Sequence, residues 1–126
     1  MKHCLGGGGI WRLITDNSDH TFDGTIAAAA PVCGTQEETD ADFCTTIGTN
    51  HLPVWAFHNV DDQTVPVSYT IDYVNKINSY NPSVKAKYTT WPTGGHDAWT
   101  RAYDPATKED GKNVYEWMLQ YRRPVK

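Results

Sequence analysis

Leu52-Pro53-Val54-Trp55-Ala56-Phe57-His58-Asn59-Val60-Asp61-Asp62-Gln63-Thr64-Val65-Pro66 is the stretch that decides the fold. Its opening part, Leu52 to His58, is apolar at almost every position, the pattern of a strand buried on both faces inside a parallel sheet. Two adjacent carboxylates follow in a turn, and Pro66, whose φ is preset for a first helical turn, opens a helix. Val67, Ile71, Val74 and Ile77 recur at a spacing of three to four along that helix, and Asn81-Pro82 closes it. A buried strand running through a loop into an amphipathic helix is the repeating unit of α/β architecture.

The flanking sequence extends the same grammar. Thr25 to Val32 is a second apolar run that reads as a strand buried on both faces. Gly34 to Asn50, with the acidic cluster Glu37-Glu38-Asp40-Asp42, reads as a polar surface excursion between the two strands. Val84 to Trp91 alternates enough for a strand at a sheet edge, and Gly94-Gly95 turns the chain after it. Val114, Trp117, Met118 and Tyr121 form the stripe of a last helix, with Arg122 and Arg123 where cations suit its dipole. At the other end, Gly6 to Gly9 leads into Ile10-Trp11-Arg12-Leu13-Ile14, a turn followed by a short helix that Asp16 to Asp19 ends. One α/β domain over residues 1–126 is expected.

Composition narrows the function classes. With 126 residues, 39% of them hydrophobic and including five Trp and seven Tyr, the chain can bury a core and is unlike a disordered segment. A net charge of −4 and a pI near 5.6, with no basic face, argue against nucleic acid as a partner. The longest apolar run, Ile26 to Cys33, is far too short to cross a bilayer, so no membrane partner is expected. Three cysteines are too few for a disulfide scaffold. Cys33 and Cys44 either pair across the loop between them or remain separate thiols.

Three patches carry the chemistry: Cys4-Leu5-Gly6-Gly7, His58 to Pro66, and Gly94-Gly95-His96-Asp97. Nucleophile, acid and base in that order is the layout of the α/β-hydrolases. Cys4-Leu5-Gly6-Gly7 resembles the nucleophile elbow of dienelactone hydrolases, which use Cys. Cys4 to Trp11 is also similar to the elbow of carboxylesterases of the polyhydroxybutyrate-depolymerase type, with Cys in place of Ser. Pro53 to His58, Asp62 and Val65-Pro66 resemble the strand and loop that end in the triad acid of those esterases, and Trp91 to Trp99 resembles the loop that presents the catalytic His. The resemblance runs from Cys4 to about Tyr121 and covers the C-terminal half of such a fold. It implies a truncated α/β-hydrolase-like sheet of about three mainly parallel strands with flanking helices, lacking the N-terminal strands.

The resemblance further implies a triad of Cys4 as nucleophile, His96 as base and Asp62 as acid, with Asp61 the runner-up. A thiol attacks as the thiolate, so His96 takes its proton while a carboxylate holds the imidazole tautomer. The backbone N–H of Leu5 would face the oxyanion, a second donor in the family coming from a loop that precedes the elbow. His58 is read as scaffold that closes the strand. Trp11 and Trp99 are candidate substrate-binding residues, and Trp11, Trp55, Trp91 and Trp99 are otherwise core aromatics. Lys2 departs from the pattern, since the family has a small residue two positions before the nucleophile. The expected activity is hydrolysis of short, activated or phenolic carboxylic esters, with no cofactor and no metal.

Two other readings stand beside this one. The chain is a catalytically weak half-hydrolase that binds or assembles, or His3, Cys4, His58, Asp61, Asp62 and His96, all ligand types, supply a metal site. In the complete fold the strand Thr25 to Val32 is paired on both sides, and only Met1 to His3 precedes Cys4 here. A homodimer through the exposed sheet edge is therefore expected.

Overall fold

Alternation along one central strand sets the architecture. In the computed structural model, which describes residues 28–32, 42–49 and 51–121, strand β1 (Trp55–Asn59) is buried along its whole length. It pairs in parallel with β2 (Lys87–Trp91), Trp55 opposite Lys87 and Asn59 opposite Trp91. On its other side Ala29 and Val32 bridge in parallel to Val54 and Phe57. The Ala29 N–H donates to the Pro53 carbonyl, and the N–H groups of Trp55 and Phe57 donate back to the carbonyls of Ala29 and Pro31, each at 3.0 Å. The sheet therefore runs as three parallel segments with β1 at the centre, and the chain is an α/β fold of the expected kind.

Because successive side chains of a strand point to opposite faces, β1 feeds two cores. Val54 and Ala56 pack with Ala29, Leu52 and Ala86 against helix α1 (Asp42–Thr49) and helix α2 (Val67–Asn78), through Cys44, Ile47, Tyr73, Val74 and Ile77. Trp55 and Phe57 pack with Ala30 and Val32 on the other face, against helix α3 (Trp99–Ala102) and helix α4 (Val114–Met118), through Ala98, Ala102, Val114 and Trp117. Helices on both faces are what an apolar strand in a parallel sheet requires. None of the described helices is long and apolar enough to cross a membrane.

Two expectations are corrected. The segment read as a polar excursion contains α1, because Cys44 and Ile47, one helical turn apart, are both buried against α2. Helix and neighbour approach so closely at Gly48 that a Cβ there would lie 2.7 Å from the Ile77 carbonyl oxygen and 2.8 Å from the Tyr80 Cβ. The buried stripe of α2 is also rotated. Thr70, Tyr73, Val74 and Ile77 are buried, while Val67 and Ile71 are only half-buried. Thr70 lies inward because its hydroxyl meets the His58 ring at 2.8 Å.

β2 is the wetter strand, as its alternation implied. Its polar residues are tied to the core: the Trp55 indole N–H donates to Thr89 Oγ1 at 2.9 Å, and the Lys87 ammonium sits 3.8 Å from the Trp55 ring centroid. The last helix opens on a capping box, Asn113 accepting from the Glu116 N–H while Glu116 accepts from the Asn113 N–H. Trp117 continues its stripe onto Tyr121, ring centroids 5.2 Å apart. Cys44 is a free, buried thiol. The elbow, its following helix, the first part of the strand from Thr25, Cys33 and the Arg122-Arg123 pair lie outside the described residues, and the strand that bears the edge of the expected homodimer is described over residues 28–32 alone.

Candidate functional site

Two adjacent parallel strands end at the same edge of their sheet, so the loops that leave β1 and β2 start side by side. In open α/β sheets this carboxyl edge is where ligands bind. The Val60 N–H donates to the Trp91 carbonyl at 2.8 Å and ties the two strand ends together. The first loop carries Asp61 and Asp62, the second Gly94, Gly95 and His96.

Asp62 is buried and its two oxygens do different work. Oδ1 accepts the Thr64 and Val65 N–H groups at 2.9 and 2.8 Å, which folds the turn ahead of α2. Oδ2 lies 2.7 Å from Nδ1 of His96. A carboxylate at this distance fixes the proton on Nδ1 and leaves Nε2 as the basic nitrogen. Neither carboxylate caps the helix that follows: α2 has no side-chain cap, and Asp62 holds the preceding turn while also reaching His96.

Asp61 is exposed and does not meet the imidazole ring in any described contact. Its Oδ1 accepts the Gly95 N–H at 2.7 Å. Gly94 and Gly95 have φ of 128° and 62°, values that L side chains rarely adopt, and this backbone turns His96 back toward Asp62. Asn59, the last residue of β1 and buried, donates from Nδ2 to the carbonyls of Gly95 at 3.1 Å and Asp97 at 2.9 Å. Asp97 in turn accepts the Thr100 N–H and hydroxyl, starting α3. The side chain of His96 retains 20% exposure, and its ring meets Trp99 edge-on with centroids 5.9 Å apart.

His58 stands behind this pair. Its Nε2 lies 2.6 Å from the Val65 carbonyl oxygen, so that nitrogen carries a proton and Nδ1 accepts from Thr70. The same Nε2 is 3.2 Å from Asp62 Oδ2. Burial pushes the His58 pKa below its ordinary value of 6.5, outweighing the raising pulls of the Val65 carbonyl and the Asp62 carboxylate. Below about pH 6.5 the unfolded chain therefore takes up a proton that the folded chain refuses, and stability falls as the pH drops. The urea midpoint of the native chain should decline between neutral pH and pH 5, and His58→Gln should flatten that decline. An unchanged slope in the variant would show that other groups carry it.

The structure thus brings together Asp62 and His96 and sets Trp99 beside them, while Cys4, Leu5 and Trp11 lie outside the described residues. Asn59 has no signal in the sequence, because its partners are 36 and 38 residues away. Cys44 has no nucleophilic role: it is buried, and burial pushes its thiol up to about 12. Among the described residues no group of three or more His, Cys, Asp and Glu is arranged to hold a metal ion.

No protein-family model and no curated protein matches this chain. Several solved structures do, two of them as follows. The crystal structure of a thermostable esterase aligns with a TM-score of 0.71 and 26% identity, over 96% of this chain and 30% of that one. A structure assigned as a dienelactone hydrolase from Klebsiella pneumoniae aligns with a TM-score of 0.55 and 18% identity, over 94% of this chain and 47% of that one. The chain thus spans less than half the length of either neighbour. Its central parallel strands, the helices on both faces and the acid and histidine loops at the carboxyl edge relate it by fold to the α/β-hydrolases.

Proposed function

We propose that this chain carries the catalytic residues of a carboxylic ester hydrolase, with Cys4 as nucleophile, His96 as general base and Asp62 as the carboxylate that orients it. The reading rests above all on the 2.7 Å contact between His96 Nδ1 and Asp62 Oδ2 at the carboxyl edge of the sheet. The structural likeness to an esterase supports it.

In the proposed cycle His96 Nε2 takes the thiol proton and the Cys4 thiolate adds to the ester carbonyl. The oxyanion of the tetrahedral intermediate faces the Leu5 N–H, and the intermediate collapses to a thioester as the alcohol leaves with the proton from His96. Water, deprotonated by His96, then attacks the thioester and releases the acid, returning the proton to Cys4. Trp99, beside the imidazole, is the described candidate for an apolar wall against the acyl or alcohol group. No step calls for a metal or cofactor.

Aryl acetates and butyrates, whose phenolate leaves readily, are the first substrates to test. The purified chain should release phenolate faster than buffer and saturate with substrate. Release no faster than buffer across the panel would overturn the proposal in favour of a binding or assembly module.

A further inference from the structure

We propose that Asn59 and Asp61 are positioning residues that clamp the histidine loop and set the distance between His96 and Asp62; this rests on the reading of His96 as the base. The contact that matters for catalysis joins residues 34 apart in the chain, from two different loops. The His96–Asp62 hydrogen bond is by itself a weak means of holding a glycine turn, since Gly94 and Gly95 bring the largest conformational freedom of any residue to that loop.

Among the described residues, further constraint comes from the same short segment that bears the acid. Asn59 Nδ2 donates to the carbonyls on either side of His96, those of Gly95 and Asp97, and Asp61 Oδ1 accepts the Gly95 N–H. The backbone before and after the histidine is thus held by side chains three positions and one position ahead of Asp62. Acid and base loops move as one unit.

Asn59 is built for this and for little else. It is 1% exposed at the end of the central strand, where its neighbour His58 faces the opposite core. Its amide orientation is fixed, because a carbonyl in place of Nδ2 would face two carbonyls. Its own Oδ1 is buried and has no hydrogen-bond partner among the described residues, an unfavourable arrangement that the two loop contacts offset. Gly94 is matched to it: a Cβ at that position would lie 2.5 Å from Asn59 Nδ2. Aspartate at 59 would keep the shape of the side chain but set a carboxylate against two carbonyl oxygens.

The test compares Asn59→Ala, Asn59→Asp and Asp61→Ala with the native 126-residue chain. Two measurements are made: kcat and KM on an aryl ester, per folded molecule, and the NMR resonance of the proton between His96 and Asp62. Asn59→Ala should lower kcat by about tenfold to a hundredfold, the scale of a misplaced catalytic group, with a much smaller change in KM. The bridging proton should exchange faster or disappear. Asp61→Ala, at an exposed position, should do the same more weakly, and it decides the matter should the Asn59 variants not fold. Unchanged kcat per folded molecule together with an unchanged proton resonance in Asp61→Ala and in a folded Asn59 variant would overturn the clamp and leave a purely structural role. Should the native chain hydrolyse no ester, the reading of His96 as base fails, and the proton resonance alone still decides the clamp.

Discussion

Replacing His96 by alanine should lower aryl-ester hydrolysis by about 10⁴-fold or more, the loss seen when a triad base is removed, while the chain stays folded. The ring is partly exposed and sits on a loop rather than in either core, so its removal opens no cavity among the core residues. Asp62→Asn should come close to the same loss, about 10⁴-fold, for a different reason. An amide facing Nδ1 offers a donor where the imidazole needs an acceptor. The ring then carries its proton on Nε2, the nitrogen that has to accept the thiol proton. Oδ1 of the new side chain can still hold the Thr64 and Val65 N–H groups, so the turn survives and the effect is electronic. Asp61→Asn should cost far less, because its amide oxygen can still accept the Gly95 N–H. Initial rates of the variants with one aryl ester, beside His51→Ala as a control, check the order. A larger loss in Asp61→Asn than in Asp62→Asn would move the acid to Asp61.

Cys4→Ala should abolish ester hydrolysis while the chain stays folded, because the substitution removes the nucleophilic sulfur alone. Alkylation should act in the same way. The thiol titrated most readily in the native chain should be lost in Cys4→Ala and should not be Cys44, whose burial keeps it protonated. Cys4→Ser should retain a trace of activity, because the geometry suits an oxygen nucleophile but the hydroxyl is far harder to deprotonate than a thiol. Hydrolysis by Cys4→Ala at the native rate would sink the nucleophile assignment.

Much of this fold is legible in the sequence because its elements announce themselves locally. A strand buried on both faces has to be apolar at every position, and Val54 to Phe57 is. Proline, with its preset φ, is favoured where a helix opens, and Pro66 precedes Val67. The acid and histidine motifs are short stretches whose resemblance to those of the α/β-hydrolases names His96 and Asp62, with Asp61 the runner-up, before the fold is known. Local pattern fails where burial is decided by a distant partner. Helix α1 hides in a polar stretch because the burial of Cys44 and Ile47 is decided by a partner, α2, that lies elsewhere in the chain. The stripe of α2 is rotated because Thr70 has to reach His58.

The choice between Asp61 and Asp62 shows the same division. Both are carboxylates in one turn, ranked by resemblance alone with Asp62 first and Asp61 the runner-up; the parallel register that places Asn59 beside Trp91 gives them different partners. It brings the histidine loop over the acid loop, so that Asp62 faces the imidazole and Asp61 faces the backbone of Gly95. The sequence by itself determined which residue types were present and which elements they would build, because helix and strand periodicities act over a few residues. Only the tertiary structure decided which carboxylate meets the histidine and that Asn59 holds the loop, because those hydrogen bonds close across more than thirty residues and depend on how two strands are registered.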